Sequence, residues 1–254
     1  MPRTLLIRGT LVGLVAGLMA FLVAKLLGEH SLTAGIAFES AAAAARGEAA
    51  EPAMVSRTVQ STAGLAVASL TYGVALGGLF ALVYSVAQGR LGRLSVRATA
   101  ASVAAGGFLA LYLLPALKYP ANPPGASDAS TIGDRTYLYF LMLTASVLIV
   151  VGVVLLARQW TARLGAWNAA ITALVVGVAA LAVMGVVLPG VHETPAGFPA
   201  ATLWQFRISS AATQLAAWAT IGLLFGALTE RALQAREPDP ATVEPATVPV
   251  LGRR

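Results

Sequence analysis

Residues 136–157 read TYLYFLMLTASVLIVVGVVLLA, a continuous run without an acidic or a basic side chain. Arg135 and Arg158 stand immediately on either side of it. An α-helix rises about 1.5 Å per residue, so a run of this length covers the roughly 30 Å hydrocarbon core of a bilayer. The run therefore predicts a transmembrane helix.

The rest of the chain repeats this pattern. It is 57% hydrophobic and only 11% charged, with a mean hydropathy of +0.77, whereas an ordinary soluble chain is about a quarter charged. Ala, Gly and aliphatic residues dominate the apolar blocks, and the alternating segments typical of a membrane β-barrel do not occur. The sequence predicts an all-α polytopic membrane bundle of about six transmembrane helices. The six blocks are Leu5–Leu27, Ser61–Ala87, Ala98–Leu117, Thr136–Ala157, Trp167–Leu188 and Ile208–Thr229.

Positive charge is distributed unevenly between the two sides of such a bundle. One side collects eleven arginines, whereas six cations and seven acids leave the other side at −1. Because cytoplasmic segments carry the excess of Lys and Arg, we expect both termini and two short arginine loops in the cytoplasm of a cell-membrane protein. The eleven arginines are Arg3, Arg8, Arg90, Arg93, Arg97, Arg158, Arg163, Arg231, Arg236, Arg253 and Arg254.

The first apolar block has an alternative interpretation. Arg3 and Arg8 precede it, as basic residues precede the apolar part of a signal peptide. The run is more than 15 residues long and ends at Lys25 without a clear A-x-A cleavage site. We therefore expect the segment to be retained as a helix.

Two further segments differ from the spans. Ser31–Arg46 predicts a short Ala-rich helix at or outside the membrane, stopped by Gly47 and Pro52. Residues 1–231 form the predicted transmembrane domain. Residues 232–254 repeat Pro, Ala, Thr and Val around scattered charges, which predicts a disordered cytoplasmic tail.

Small residues at a spacing of four indicate how the helices pack. Lipid is as apolar as leucine, so helices in a bilayer associate where small residues let their backbones approach. Gln214 is the best candidate for a buried polar side chain, and it either bonds a neighbouring helix or lines a path. The predicted contact ridges are Gly9, Gly13 and Gly17, then Gly73 and Gly77, then Gly222 and Gly226.

Several function classes are disfavoured by what the sequence lacks. No cysteine is present, which excludes disulfides, thiolate catalysis and cysteine-ligated metal centres. No H-E-x-x-H, G-x-S-x-G or P-loop motif occurs, and no paired carboxylates lie within the spans, so we expect no enzyme. The net charge of +6 is explained by membrane orientation rather than by nucleic acid.

The most distinctive residues lie in two segments between predicted helices. Residues 117–125 read LKYPANPPG and residues 131–137 read TIGDRTY, while residues 188–207 read LPGVHETPAGFPAATLWQFR. Three prolines within five residues predict a stiff, extended backbone, and the aromatic residues suit a membrane interface. The candidate site residues are Lys118, Tyr119, Pro120, Asn122, Pro123, Pro124, Asp128, Arg135, Glu193, Phe198, Pro199, Trp204 and Arg207.

At these residues the sequence resembles the CbtA family, membrane proteins proposed to be cobalt transporter subunits. The resemblance rests on LKYPANPPG…D…TIGxRT across 117–136 and on E-x-P…FPA…LWxFR across 193–207, and it extends to about Arg231. It implies a role in cobalt uptake associated with cobalamin biosynthesis, with cobalt(II) as the transported ion and no tightly bound cofactor. It also implies a small companion membrane subunit with a histidine-rich end.

A metal site can be suggested from the two histidines of the chain. Cobalt(II) accepts imidazole and carboxylate ligands. His30 and His192 each follow the end of a predicted helix, next to Glu29 and Glu193. These four residues would converge if the first and fifth helices meet, although an isolated loop histidine is more often a solvated surface residue.

The charged loop residues also have two interpretations. Lys118, Arg135 and Arg207 face the acids Asp128, Asp134 and Glu193, and together they form either a salt-bridged lid across the helix ends or a mouth for a cation. An accessory subunit without its own conduction path is the alternative to a transport subunit, because no charge lies at mid-membrane.

Overall fold

The structure is a computed structural model that describes residues 2–48, 54–191 and 193–235. Within these ranges the chain forms α-helices and short helical turns, with no β-strand. The predicted all-α class is therefore confirmed. The part of the predicted tail from residue 236 onward lies outside the described residues.

Three of the helices contain a π-helical turn near the same end of the bundle. We number the helices α1 to α6. Helix α1 comprises Pro2–Val23, the π turn Ala24–Gly28 and Glu29–Ala45; α2 comprises Arg57–Val59, the π turn Gln60–Gly64 and Leu65–Ala87; α3 comprises Val96–Phe108, the π turn Leu109–Leu113 and Leu114–Lys118. A 3₁₀ turn, Ala129–Thr131, precedes Ile132–Val187, and the last helix, α6, is Ala200–Gln234.

The long stretch Ile132–Val187 is two helices. Gly165 interrupts it with φ 75° and ψ 160°, so α4 covers residues 132–164 and α5 covers residues 166–187. A Cβ atom on Gly177 would overlap the side chain of Val153, which lies equally far from Gly165 on the other side. The two helices therefore fold back on each other as the α4–α5 hairpin. Five helical stretches of the described chain are long and apolar enough to span a membrane. Because one of them, Ile132–Val187, is two helices, the count becomes six, in agreement with the predicted count of about six.

Two sequence expectations about the helix boundaries were wrong. Leu5–Leu27 and residues 31–45 belong to one continuous helix, because Gly28 alone does not break it and the first left-handed residue is Gly47, with φ 72°. The expected loop at Arg158 and Arg163 is helical. No Gly or Pro precedes Gly165 there, so nothing stops α4 where its apolar block ends.

Helices α1 and α2 pack along the predicted glycine ridge. Cβ atoms on Gly9 and Gly13 would overlap the carbonyl oxygens of Gly77 and Gly73, respectively. Each step of four residues along α1 is matched by a step of four back along α2, so the helices are antiparallel. We call this contact the glycine seam.

The π turns keep two charged residues on the glycine seam. Glu29 follows Gly17 by twelve residues, so in a regular α-helix its side chain would point about 120° away from the seam. The π turn takes up one extra residue, and this reduces the angle to about 20°. The same reasoning applies from Ser69 to Arg57 on α2, which has its own π turn. Arg57 Nη2 indeed lies 2.6 Å from Glu29 Oε1.

Helices α1, α2, α3 and α6 form the four-helix core. The predicted ridge on α6 packs on α3, since a Cβ atom on Gly222 would lie 2.6 Å from Ala104 Cβ. At its centre Phe225 meets both Phe80 and Tyr84 edge to face, and Tyr84 and Phe225 are fully buried. The α4–α5 hairpin contacts this core mainly along residues 109–118 of α3.

Candidate functional site

The family-like residues meet at one end of the bundle. We call residues 119–131 and 188–199 the loop cluster; it joins the end of α3 to α4 and the end of α5 to α6. The second half of α1 extends past the glycine seam to this end. Four helix ends and the second half of α1 therefore meet at the loop cluster.

The proline-rich loop docks on α1. A Cβ atom on Gly35 would lie 2.8 Å from the carbonyl oxygen of Pro124, so only glycine fits there. Gly125 turns the chain with φ 74° directly against Glu39. Pro123 is buried in this contact. The stiff backbone that the prolines predict thus has a fixed support.

Arg207 connects α6 to the same loop. Its Nη2 donates to Oδ1 of Asn122 at 2.8 Å, and Nδ2 of Asn122 donates to Oγ of Ser127 at 3.1 Å. The guanidinium is a charged donor, so its bond to the amide oxygen is stronger than a bond between neutral groups. Arg207 therefore holds the loop by Asn122 rather than by an acid.

Lys118 and Tyr119 connect the end of α3 to the end of α5. Lys118 Nζ donates to the carbonyl oxygen of Gly185 at 2.8 Å. Tyr119 Oη donates to the carbonyl oxygen of Pro189 at 2.8 Å. Lys118 and Tyr119 thus anchor the chain to the end of α5 where it leaves α3, just before Pro120.

Arg135, near the start of α4, joins the two halves of the loop cluster. Its Nη2 donates to the carbonyl oxygen of Asp128 at 2.9 Å, and its Nε lies 3.3 Å from Oε2 of Glu193. Thr131 Oγ1 donates to the same Glu193 oxygen at 2.6 Å. This ion pair, partly shielded from water, spans the segments before and after the α4–α5 hairpin.

Asp128 caps the turn that leads into α4. Its carboxylate accepts hydrogen bonds from the backbone N–H of Ser130 at 2.8 Å and from the Ser130 hydroxyl at 2.7 Å. These two bonds, the backbone bond first, hold the pKa of Asp128 below its ordinary value, and the charge of Arg135 acts in the same direction. The carboxylate is exposed and ionised at neutral pH.

Aromatic residues complete the loop cluster. Phe198 is buried and meets Phe38 of α1 edge to face, with ring centroids 4.9 Å apart. Pro199 directly precedes α6 and has extended backbone angles. Trp204 is 64% exposed one turn further on, as expected for a side chain at a membrane interface.

Of the salt-bridged lid, one of the two interpretations of the charged loop residues, the structure contains only part. The three cations do tie helix ends together, as that interpretation requires. Only Arg135 does so through an acid, whereas Lys118 and Arg207 bind neutral oxygen atoms. Asp134 is exposed. The acids Asp128 and Asp134 are thus not neutralised by Lys118 or Arg207.

The candidate metal ligands have separate environments. Glu29 pairs with Arg57, and its Oε2 lies 3.8 Å from Nζ of Lys25. His30, the next residue after Glu29, is exposed. Glu193 is held by Thr131 and Arg135, and His192 lies outside the described residues. Across residues 2–48, 54–191 and 193–235 no three His, Asp or Glu side chains are grouped to hold a metal. The four-residue site suggested by the sequence stays a prediction.

Gln214 bonds a neighbouring helix. Tyr72 Oη on α2 donates to Oε1 of Gln214 at 3.1 Å, and one turn earlier on α6 Ser210 accepts from Tyr112 Oη at 3.3 Å. The sequence did not reveal these tyrosine partners, nor that Arg57 pairs with Glu29. The register of the glycine ridges places Glu29 level with Arg57, but both face the seam only because of the π turns, which the sequence does not indicate. The tyrosine contacts depend on how α2 and α3 pack on α6.

The fold and the loop cluster together define a polytopic helical membrane protein whose distinctive residues join helix ends at one side. Residues 2–230 match a protein family described as "Probable cobalt transporter subunit (CbtA)". The match covers most of the 254 residues, and the chain belongs to the CbtA family. Neither the curated proteins nor the solved structures that were compared with the chain gave a match.

Proposed function

We propose that this protein is the membrane subunit of a metal-cation uptake system for cobalt(II), associated with cobalamin biosynthesis. The observation that carries the proposal is the family match over residues 2–230, combined with the meeting of the family-like loop residues in one cluster. The protein acts in the lipid bilayer as part of an assembly, not as an enzyme, and needs no nucleic acid.

The loop cluster offers a cation a rigid, partly acidic entrance. Asp128 and Asp134 are exposed, and hydrogen bonds keep Asp128 ionised. Carboxylates at an entrance raise the local concentration of cations. Arg135 holds the backbone carbonyl of Asp128, and Arg207 holds the same loop through Asn122.

Ligands for cobalt(II) come from two sources in this proposal. Within the chain, His30 and His192 with Glu29 and Glu193 are the candidates. A selective cobalt site is expected to use several imidazoles. A small companion subunit with a histidine-rich end would supply the remaining ligands, which agrees with the family description of this chain as a subunit.

An accessory role without a conduction path of its own is the second candidate, and the cavities favour it. Among the described residues, Arg207 is the only charged one that lines a groove of about 280 Å³ beside α6. Arg8 is likewise the only charged described residue that lines a cavity of about 80 Å³ at the opposite end of α6. Cations repel a bare divalent cation, the more strongly where water is sparse. Neither cavity suits cobalt(II) as a resting site.

Deletion tests the transport proposal. Cells that make cobalamin from scarce cobalt should accumulate less radioactive cobalt when the protein is absent, and re-expression should restore uptake. Equal accumulation in parent and deletion strains, at concentrations too low for nonspecific entry, would refute it.

Reconstitution separates the two candidates. The full chain in liposomes that contain a cobalt-sensitive dye should admit cobalt(II) if it has its own path. The accessory role instead predicts no signal until the companion subunit is added. Liposomes without protein provide the baseline.

We also propose that the loop cluster faces outward and that both termini are cytoplasmic, from the distribution of arginines. The chain has no cysteine, so single cysteines can be labelled cleanly. Met54, fully exposed between α1 and α2, should react as Met54→Cys with an impermeant reagent in intact cells, whereas Leu94→Cys should react only after lysis. The reverse pattern would invert the proposed orientation.

A further inference from the structure

A groove lies between α3 and α6 next to the loop cluster. Its volume is about 280 Å³, and it opens beside the exposed side chain of Trp204. The π turn Leu109–Leu113 and the buried Pro115 interrupt regular α-helix in α3 along this groove. Its lining includes Leu113, Ala116 and Leu117 of α3 and Arg207 and Ala211 of α6.

The groove combines an apolar wall with a single positive charge. Leu113, Ala116 and Leu117 supply the apolar wall from α3. Arg207 supplies the charge from α6, and no other acidic or basic residue of the described ranges lines the groove. The groove is therefore complementary to a molecule with an apolar chain and an anionic group.

Arg207 retains capacity to bind such a group. Nη2 is used by Asn122, and Nε is enclosed by protein without a hydrogen-bond partner. Nη1 forms no hydrogen bond within the described part of the chain. Unlike Nε, Nη1 is not enclosed by protein. A guanidinium of this kind binds phosphate oxygens through charge-assisted hydrogen bonds.

We infer that this groove binds an anionic phospholipid, with its phosphate on Arg207 and a segment of one acyl chain along α3. The single positive charge beside an apolar wall favours a lipid over a partner helix, and a groove of about 280 Å³ suits part of an acyl chain. A transmembrane helix about 10 Å wide needs far more space. The inference does not depend on whether the chain conducts metal.

Lipid binding would couple the bilayer to the loop cluster. Arg207 carries both contacts, because one nitrogen holds Asn122 and another would hold the phosphate. A bound phosphate would hold the Arg207 side chain in the position from which it reaches the proline-rich loop. The groove is thus a positioning site for the loop cluster as well as a lipid site.

The test uses the purified full chain in detergent with mixed phosphatidylglycerol and phosphatidylcholine, the bound lipid being counted by native mass spectrometry. The parent should retain phosphatidylglycerol in preference to phosphatidylcholine. Arg207→Gln should reduce that preference about tenfold, the loss expected for one charged hydrogen bond. Arg46→Gln removes an exposed arginine outside the groove and should leave the preference unchanged.

A second variant guards against simple misfolding of Arg207→Gln. Ala211→Phe fills the groove but leaves Arg207 and Asn122 in place, and it should also remove the bound lipid. Ala219→Phe, at an exposed position of α6 outside the groove, is its control. Unchanged lipid preference in both Arg207→Gln and Ala211→Phe would overturn the inference. The inference would also be overturned if Ala211→Cys, labelled with a photoreactive group on its thiol and illuminated in cells, crosslinked to a protein chain instead of to lipid.

Discussion

The four-helix core and the α4–α5 hairpin use the same residue types in opposite ways. The hairpin is the most hydrophobic part of the chain, yet only 11% of its most apolar 18-residue stretch is buried. The corresponding share is 28% for α1 and 33% for α2 and for α6. The central cluster of buried side chains comes entirely from α1, α2, α3 and α6. In this protein high hydropathy marks the outer surface of the helix bundle.

Small residues, by contrast, mark where helices meet. Gly13 and Gly73 bring two backbones into contact, whereas a Cβ atom on Gly152 of the hairpin would meet no atom of another helix within 4 Å. Because lipid solvates leucine as well as a neighbouring helix does, close backbone contact is what distinguishes a core helix in a bilayer. The core should therefore resist changes differently from the hairpin.

The largest effect is expected at the glycine seam. Gly13→Leu forces a side chain of four carbons into the carbonyl oxygen of Gly73, which neither backbone can avoid without separation of α1 from α2. We expect a loss of more than about 3 kcal/mol in the free energy of unfolding, at the upper end for overpacked cores. Thermal unfolding in detergent measures it.

Gly152→Leu is the matched control in the hairpin. It adds the same side chain in open space and should change the stability by less than about 0.5 kcal/mol. Equal losses for Gly13→Leu and Gly152→Leu would mean that the contrast between core and hairpin is wrong.

A smaller effect is expected where α1 supports the proline-rich loop. Gly35→Ala adds one carbon 2.8 Å from the Pro124 carbonyl oxygen and should cost about 1–3 kcal/mol, because the docked loop has to shift. Hydrogen exchange should also become faster at Ala126, which is fully buried in the parent. Gly133→Ala, with open space around it, should behave like the parent, and loss of protection there too would contradict a specific contact.

The smallest effect concerns Asp128 and pH. Its folded-state pKa lies below the ordinary value of 3.8, so the bonds to Ser130 stabilise the turn above that value and are lost as the pH falls through the folded-state pKa. At neutral pH the Ser130 amide should therefore exchange more slowly in the parent than in Asp128→Asn, compared at the same pH. The difference should vanish in acid, and a difference that persists there would rule out the carboxylate as its cause.

The sequence predicted those parts of the fold that depend on local composition. The apolar blocks predicted about six spans, and the glycine spacings of Gly9, Gly13 and Gly17 predicted the seam. Helix boundaries were less predictable, because polar residues such as Arg158 and Arg163 continue a helix unless Gly or Pro stops it. The chain therefore forms longer helices than the hydrocarbon requires.

The loop cluster was predicted as a set of residues but not as a set of contacts. Resemblance to the family singled out Arg135 and Arg207, and opposite charges suggested acids as their partners. Arg207 instead binds the amide of Asn122, 85 residues earlier in the chain. Such a pairing depends on how α3 and α6 pack, and a single sequence carries no signal for it.

Cobalt uptake by point variants tests most directly the claim that the arginine-held loop cluster is the functional site. In a deletion strain supplied with scarce radioactive cobalt, Arg135→Ala and Arg207→Ala at equal protein levels should lower accumulation severely. Arg46→Ala removes an exposed arginine that pairs with Glu48, and it should restore uptake like the parent. His30→Ala should lower uptake less than the two arginine variants do. Normal uptake with both arginine variants, together with a loss in His30→Ala and His192→Ala, would contradict this account and favour a directly ligated histidine site.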